Sequence, residues 1–476
     1  MNSIRNSRFK GVVIGIHAEA EVNNMCAQLL HEVEKEVTSL LSDLIRINTT
    51  NPPGNETVAA QFLAETLAKD GLKCEVIESS SARGNVITRI KGTIEKPNLT
   101  LLSHLDVVPA VEKEWSVNPF SGTTKDGFVW GRGALDMKSF VAIEALVMKL
   151  LVRNGVKPKG DIIFAATADE ERGGNAGVGW LIKNHPEKIR ADYVINEGGG
   201  ESFPIDGKHI FTVQTAEKGV NWLRIKAKGS PGHGSIPGIA DNAVLRMAEV
   251  ARKLGSYRSE IMLVNSVRQF LKGVAEETTT LGNLLNTILD NPAIADNILD
   301  EMAKKEKTIA ELLRAMLRMT IAPTMIKGGI KENVIPSESE GVFDCRILPG
   351  QTKDDLLDEI KTVLADVDFN KLSFEFIQSD APSESRSDTP LYKTIEKTLK
   401  EFEPNCSVVP YMVTGGTDSR FLRNVGSVCY GFHPLKTDMP LDEFWKLVHG
   451  IDERISIKNL VFGVSVLYRI VEEFMT

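Results

Sequence analysis

Hydrophobic positions along the chain switch between a helical and an extended period, and this alternation predicts an α/β fold. In the first 200 residues, helical periods predict helices over residues 29–47, 57–69 and 137–151. Short apolar runs predict strands over residues 74–78, 85–90, 99–108, 161–166 and 191–195. Apolar strands that alternate with helices indicate a largely parallel sheet, with functional residues at the carboxyl ends of its strands.

The pattern changes at about residue 218. Predicted strands there cover residues 219–227, 324–330, 341–348 and 372–377, and predicted helices cover 242–254 and 353–367. This β-α-β-β-α-β order predicts a small ferredoxin-like α+β domain. A helix-rich stretch at about residues 257–321 separates its first helix from its second strand, and we interpret it as an insertion.

The α/β pattern returns after about residue 382, with strands near 407–412 and 427–431 and a closing helix over 458–474. The smaller domain is therefore predicted to interrupt the larger one. A chain of 476 residues is long for one hydrophobic core, which also favours two domains. The predicted boundaries are 27–217 and 381–476 for the larger domain and 218–380 for the inserted one.

Composition narrows the class of protein. A net charge of −8 argues against a nucleic-acid partner, and no run approaches the ~20 apolar residues that span a membrane. The apolar run at residues 11–16 is short and lacks a cleavage site, so we predict no signal peptide. Five scattered cysteines without a C-x-x-C pair indicate free thiols in a reducing compartment, and we expect a cytoplasmic protein: Cys26, Cys74, Cys345, Cys406 and Cys429.

Two adjacent carboxylates, Glu170 and Glu171, follow the apolar run at 161–166. Neighbouring side chains of an extended segment point in opposite directions, so the pair cannot make the same contact. One carboxylate can bind a metal while the other transfers a proton, which is the division that metal-assisted hydrolysis requires. In isolation, such a pair is more typical of a solvated loop.

Other chemically competent side chains follow other predicted strands. His104 and Asp106 are two residues apart, so Asp106 can orient the imidazole by accepting its second N–H. Asp136 precedes a helix, either as its N-cap or as a carboxylate that bridges two metals. Glu197 closes another apolar run. Because the strand ends of a parallel sheet share an edge, these acids should converge, and without a metal they would repel each other strongly.

These motifs resemble those of the M20 family of metallopeptidases, which includes aminoacylase-1, carboxypeptidases and acetylornithine deacetylase. The resemblance rests on His104-x-Asp106, the Gly-Arg-Gly-Ala-x-Asp136-Met-Lys turn, the Asp-Glu170-Glu171 pair and Asn-Glu197-Gly, in that order from about residue 40 to the end. It implies two Zn²⁺ ions, for which Co²⁺ or Mn²⁺ can substitute. Asp136 would bridge the metals, His104 and Glu197 would complete one, and Glu171 with a late histidine the other; Glu170 would be the general base.

Two late histidines compete for the last ligand position. His433 follows an apolar strand, whereas His449 precedes an Asp-Glu pair and the closing helix. The family's ligand has the second context, so the resemblance favours His449.

The resemblance also implies substrate contacts and a lid that dimerises. His233, in a glycine-flanked loop that could equally be an ordinary turn, would stabilise the oxyanion in the partner subunit's site. Asn333 and Arg346 match substrate-contacting positions, although Arg346 could form a surface ion pair instead. Three residues of a later loop could present N–H groups to a substrate carboxylate: Gly415, Gly416 and Thr417.

The expected function is di-zinc hydrolysis of the amide bond in N-acyl amino acids or short peptides with a free carboxylate. Within the class, the alternative is a dipeptidase or aminotripeptidase. A catalytically silent binding protein should lack a ligand or the base, and neither is missing. A serine hydrolase is disfavoured because no G-x-S-x-G motif occurs.

Overall fold

The fold was analysed in a computed structural model that describes residues 20–476. The apolar run at residues 11–16 lies outside the described residues. Between residues 20 and 217 the described chain forms five α-helices: α1 (Ala20–Arg46), α2 (Glu56–Ala68), α3 (Lys138–Arg153), α4 (Val178–Asn184) and α5 (Pro186–Ile189). The strands of this part are β1 (Cys74–Glu78), β2 (Gly84–Ile90), β3 (Leu99–His104), β4 (Thr123–Lys125), β5 (Phe128–Trp130), β6 (Ile162–Thr167), β7 (Tyr193–Asn196), β8 (Ser202–Ile205) and β9 (Lys208–Glu217).

The middle of the chain contains a second group of elements. Its strands are β10 (Gly219–Lys228), β11 (Gly232–His233), β12 (Thr320–Gly328), β13 (Val334–Ile335), β14 (Glu338–Ile347) and β15 (Leu372–Ser379). Its helices are α6 (Ala243–Ser256), α7 (Asn265–Glu277), α8 (Thr280–Asp290), α9 (Ala295–Ala303), α10 (Lys307–Met316) and α11 (Lys353–Val363).

The last part of the chain adds four strands and four helices among the described residues. The strands are β16 (Ser383–Glu384), β17 (Ser407–Val413), β18 (Val428–Gly431) and β19 (Arg454–Ser456). The helices are α12 (Pro390–Phe402), α13 (Ser419–Asn424), α14 (Leu441–Leu447) and α15 (Ile457–Met475).

The first and last parts build one ten-stranded sheet, whose main path runs β1-β2-β6-β3-β7-β18-β9-β16. Its centre, β6-β3-β7-β18, is parallel, and antiparallel strands flank it on both sides. Strands β3 and β6 are buried along their whole length because helices cover both faces of the sheet, with α1, α3 and α15 packed together on one of them. The predicted α/β class with a mostly parallel central sheet is confirmed.

The second sheet has the order β12-β14-β10-β15, and every neighbouring pair is antiparallel. The strand and helix order β10-α6-β12-β14-α11-β15 is the predicted ferredoxin-like one. Apolar residues of α6 and α11 form its core with the strands. The helices of the insertion lie elsewhere, because α7 packs on β17 and β9 of the large sheet.

Some elements were not predicted from the sequence. Strand β9 is buried in the large sheet, yet it contains Thr212, Gln214 and Thr215, and these polar residues break the apolar signal. Helix α12, strand β8 and the small β19-β5-β4 sheet were also missed. Over residues 20–476, none of the helices combines the length and the apolar character needed to cross a bilayer.

Candidate metal centre

Three neighbouring strands deliver the predicted donors to one edge of the large sheet. Strands β6, β3 and β7 are adjacent and parallel, so their carboxyl ends lie side by side. His104 is the last residue of β3, Glu197 follows β7, and the Glu170–Glu171 pair follows β6 in a short 3₁₀ turn. Convergence of the donors therefore follows from the strand order.

Asp136 is at the centre of the cluster. One carboxylate oxygen lies 3.1 Å from Nε2 of His104, and the other lies 2.9 Å from Nε2 of His449. Nε2 of His449 is also 3.2 Å from Glu171, and Nε2 of His104 is 3.6 Å from Glu197. Asp136 thus divides the donors into a His104–Glu197 side and a His449–Glu171 side.

The turn that holds Asp136 is fixed by a carboxylate from the end of the chain. Glu453 is fully buried and accepts N–H groups from Gly133, Leu135 and Asp136 at 2.7–3.1 Å. It also accepts a 2.6 Å hydrogen bond from Arg132. Asp136 is not the N-cap of α3, a position that Met137 occupies without a side-chain cap.

Asp106 acts differently from the expectation. The Nδ1 atom of His104 lies 2.9 Å from the backbone oxygen of Asp106 but 3.6 Å from its carboxylate. The carboxylate instead accepts the backbone N–H groups of Glu170 and Glu171, both at 3.1 Å. Because β3 ends at His104, the chain turns there and the carboxylate faces the neighbouring loop. Asp106 therefore orients both the histidine and the pair of glutamates.

Burial and mutual charge shift the pKa of nearly every group in the cluster. Burial and the nearby Glu197 raise the pKa of Glu170 well above its usual range. Burial, together with Asp136, raises the pKa of Glu171 to about 7. Hydrogen bonds to Asp136 and Glu171 raise the pKa of His449 to about 10. Burial alone would raise the pKa of Asp136, but hydrogen bonds to His104 and His449 lower it.

The donor set fits metal ions. The cluster contains four carboxylates and two imidazoles. Because the carboxylates repel one another, the cluster holds protons at neutral pH when no metal is bound, and a divalent cation can replace those protons. Two groups of three residues have ligand atoms within 4.8 Å of one another: His104, Asp136 and Glu171, and His104, Glu170 and Glu197. Oxygen Oε1 of Glu171 is buried, and Nε2 of His449 lies 3.2 Å from it. Imidazole and carboxylate ligands are those typical of zinc, cobalt and manganese sites.

His433 lies near the cluster but makes no contact with its carboxylates. Its ring stacks on Phe140 at a centroid distance of 4.6 Å, and its buried Nε2 has no hydrogen-bond partner among residues 20–476. Burial lowers the pKa of His433 to about 3, so the ring is neutral. Between the two late histidines, the geometry favours His449 as the ligand.

A cavity of about 510 Å³ opens beside the cluster between the two sheets. Arg346 lines it, and its guanidinium forms two hydrogen bonds with Asp344, at 2.6 and 2.9 Å. Gly415, Gly416 and Thr417 also line it, but Thr417 already donates its N–H to Glu217. The N–H groups of the two glycines donate to no other described residue.

His233 and Asn333 are together, but not at the cavity. Strand β11 pairs with β13, and the N–H of Gly234 donates to the backbone oxygen of Asn333. Both side chains are exposed, and neither is among the described residues that line the cavity. Exposed apolar residues surround them in sequence; together with His233 and Asn333 they form what we call the lid face: Ile236, Ile239, Met325, Ile326, Ile330 and Val334.

Several residues that shape the site were not predicted. Besides Glu453, they include Arg83, Asn51 and Asp169, which lie behind the Glu170–Glu171 loop. Lys138 is fully buried and donates to the backbone oxygens of Leu44 and Ile47, fixing the end of α1. The Asp-Glu pair after His449 was a usable signal for Glu453. The other four residues contact partners that are distant in sequence, so no comparable signal exists for them.

Comparisons with known proteins agree with this geometry. The family model of peptidase family M20/M25/M40 matches residues 100–473. The human N-fatty-acyl-amino acid synthase/hydrolase PM20D1 is 27% identical over 486 residues, covering 98% of this chain and 93% of that protein. Aminoacylase-1 of Dictyostelium discoideum is 28% identical over 449 residues, covering 92% of this chain and 97% of that protein.

Solved structures show the same fold. The M20 family metallo-carboxypeptidase Sso-CP2 of Sulfolobus solfataricus aligns with a TM-score of 0.72 at 17% sequence identity. The alignment covers 92% of this chain and 99% of that one. At this identity the likeness is one of fold, and it includes both sheets.

Proposed function

Since the chain belongs to peptidase family M20/M25/M40, we propose that it is a di-zinc hydrolase of N-acyl amino acids or of short peptides with a free carboxylate. The observation that carries the proposal is the position of Asp136, which has one oxygen at His104 and the other at His449. A carboxylate shared in this way by two histidines, each with its own glutamate, is the arrangement expected of a two-metal site.

Five residues would hold the metals. Asp136 would bridge, with His104 and Glu197 on one side and Glu171 and His449 on the other. When bound, the two cations would supply Lewis-acid chemistry, polarising the amide carbonyl and lowering the pKa of water between them.

Glu170 would act as the general base. It would take a proton from the attacking water at a carboxylate oxygen and return it to the nitrogen of the leaving amine. Burial raises the pKa of Glu170 above its usual range, which makes its carboxylate a stronger base than that of an exposed glutamate. Glu170 also lies within the His104–Glu197 group of potential ligands, so its role as base is to be tested by substitution.

The cavity supports a substrate with an apolar part and a carboxylate. Apolar side chains dominate one wall near His449, and they include Phe444, Trp445, Val448 and Leu435. Such a wall fits the acyl group of an N-acyl amino acid, the substrate class named for the PM20D1 relatives. The N–H groups of Gly415 and Gly416 would receive the carboxylate, and Arg346 would join them after exchanging its bond to Asp344.

A homodimer would complete this site. His233 and Asn333 lie on the lid face, outside the cavity of their own chain. Ile330 of this face is 98% exposed and Ile239 is 70% exposed, so a second copy of the chain would bury apolar area there. We propose that His233 stabilises the oxyanion in the partner subunit, with Asn333 contacting the substrate beside it.

A dipeptidase is the second candidate, since a dipeptide is also an acyl amino acid with a free carboxylate. The two differ in one requirement, because a dipeptide brings a charged amino group to the acyl side. The apolar side chains of Phe444, Trp445 and Leu435 favour an uncharged acyl group, whereas the carboxylates of Glu201 and Asp380, which also line the cavity, would favour the amino group of a dipeptide.

The test is a hydrolysis screen with purified, zinc-loaded protein. The substrates are N-acetyl, N-succinyl and long-chain N-acyl amino acids and dipeptides, with Glu170→Gln as the inactive control. We expect cleavage of N-acyl amino acids, loss of activity with a chelator and no effect of a serine-directed reagent. Activity that survives removal of the metals, or absence of hydrolysis across the panel, would refute the proposal.

We also propose that the protein is located in the cytoplasm. Cys74, Cys345, Cys406 and Cys429 form no disulfides, as expected of a protein in the reducing cytoplasm.

A further inference from the structure

Arg83 lies behind the metal centre and contacts none of the proposed ligands. We propose that Arg83 is a positioning residue that sets the Glu170–Glu171 loop, acting through Asn51, Asp169 and Asp106. The catalytic part of this inference rests on the proposed function, whereas the structural part does not.

The guanidinium of Arg83 connects three side chains, of which two are buried and one is largely buried, and one backbone oxygen. One terminal nitrogen donates to Asp169 at 2.7 Å and forms an ion pair with Glu56 at 2.8 Å. The other donates to the side-chain oxygen of Asn51 at 3.2 Å and to the backbone oxygen of Pro53 at 3.1 Å. A guanidinium suits this position because its planar fork reaches several acceptors at once.

Asn51 connects Arg83 to Asp106 by hydrogen bonds. Its amide nitrogen donates to Asp106 at 2.8 Å and to Asp169 at 3.2 Å. Asp106, in turn, receives the N–H groups of Glu170 and Glu171 on its two oxygens. A continuous set of hydrogen bonds therefore joins Arg83 to the backbone of the proposed base.

Asp169 provides a second connection between Arg83 and the Glu170–Glu171 loop. This residue has a φ of +76°, in the left-handed region that non-glycine residues rarely adopt. Its side chain accepts from Arg83 and from the N–H of Ala176 at 2.9 Å, and its backbone oxygen accepts the N–H of Gly174. These bonds hold the turn that aims the next two N–H groups at Asp106.

The fold leaves space for this guanidinium. Gly54 has a φ of +85°, and a Cβ atom at this position would lie 2.3 Å from the terminal nitrogen of Arg83. Arg83 is also the ion-pair partner of Glu56, whose carboxylate is fully buried and accepts no hydrogen bond from a described residue. Loss of the guanidinium would leave Glu56 and Asp169 without their counter-charge.

The experiment compares Arg83→Lys with Arg89→Lys. Arg83 directly precedes strand β2, and Arg89 lies near the other end of that strand, where it is bound to Asp161 and to the backbone oxygen of Glu187. We expect Arg83→Lys to lower kcat by about 10–100-fold with little change in KM, as is typical when a residue that supports catalytic groups is altered. Arg89→Lys should leave both parameters unchanged. Guanidinium ion should restore part of the activity of Arg83→Ala.

Hydrogen exchange provides a readout that is independent of activity. Backbone N–H groups of Glu170 and Glu171 should exchange faster in Arg83→Lys than in the parent protein, and not in Arg89→Lys. If the lysine variant does not fold, Asn51→Ala removes the link to Asp106 and should accelerate the same two groups. Unchanged exchange in the Arg83 variant, or equal acceleration in both arginine variants, would overturn the inference. A parent protein without hydrolase activity would refute the proposed function and leave this exchange test intact.

Discussion

The metal centre and the lid face present their polar groups in opposite ways. At the metal centre, the donors come from neighbouring strand ends, a helix start and the loop before β19 of one chain, and each contacts another member of the cluster. On the lid face, His233 is exposed, and its ring contacts only Ser235 among the described polar groups. The metal centre is therefore assembled within one chain, whereas the lid face lies outside the cavity of its own chain and is proposed to act in a partner subunit.

This difference separates two kinds of expected effect. A substitution at the metal centre should act within its own subunit, and a substitution on the lid face should act on its neighbour. The experiments below test that separation.

The largest effect is expected for Glu170→Gln. The variant keeps the shape of the side chain but cannot accept a proton from water, so kcat should fall by about 10²–10⁴-fold. Metal analysis should still find two metals per chain. Loss of one metal equivalent would show that Glu170 is a ligand and that its neighbour Glu171 is the base.

His233→Ala should lower kcat by about 10²–10³-fold, the usual effect of removing one oxyanion donor. Because this donor is proposed to act in the partner subunit, mixing His233→Ala with Glu170→Gln under subunit exchange should restore part of the activity. Heterodimers would then contain one intact site. A mixture that stays inactive although exchange is confirmed, or an active monomer, would place His233 outside the partner's site.

His449→Ala should bind one metal fewer than the parent, and His433→Ala should bind the same number. The reason is that His449 contacts both Asp136 and Glu171, whereas His433 stacks on Phe140. Metal content after extensive dialysis decides between them. The assignment is reversed if the His433 variant is the one that loses a metal.

The smallest effect is a change in affinity with pH. Without a metal, His449 has a pKa of about 10, so it is protonated at pH 7 and must lose that proton to become a ligand. Zinc affinity should therefore increase with pH below this value, by about tenfold per pH unit for each proton released. Calorimetry in two buffers of different ionisation enthalpy measures the release, and His449→Ala should release fewer protons. Equal release by both proteins would contradict the prediction.

The position of a site residue could be predicted from the sequence where that residue ends or follows a strand. His104, Glu171 and Glu197 each follow an apolar strand, so their common edge could be predicted before any contact was known. Such prediction failed for Arg83, and for Glu453 the Asp-Glu pair after His449 did not indicate its partner Arg132, which is 321 positions away. Strand β9 was missed for a related reason. Its buried Glu217 is stabilised by Arg423 and Thr417 from the last part of the chain, and no periodic pattern encodes those partners.

The bond between Arg132 and Glu453 also has a consequence for the order of events during biosynthesis. Arg132 and Glu453 are 321 residues apart, so the turn that carries Asp136 lacks its buried carboxylate until almost the whole chain has been translated. His449 emerges at the same late stage. A nascent chain can pair its early strands while its ribosome is still translating, but it cannot yet complete this turn or its ligand set. Metal uptake thus becomes a late step of maturation, and a product truncated before Glu453 would keep most of the large sheet without a finished centre.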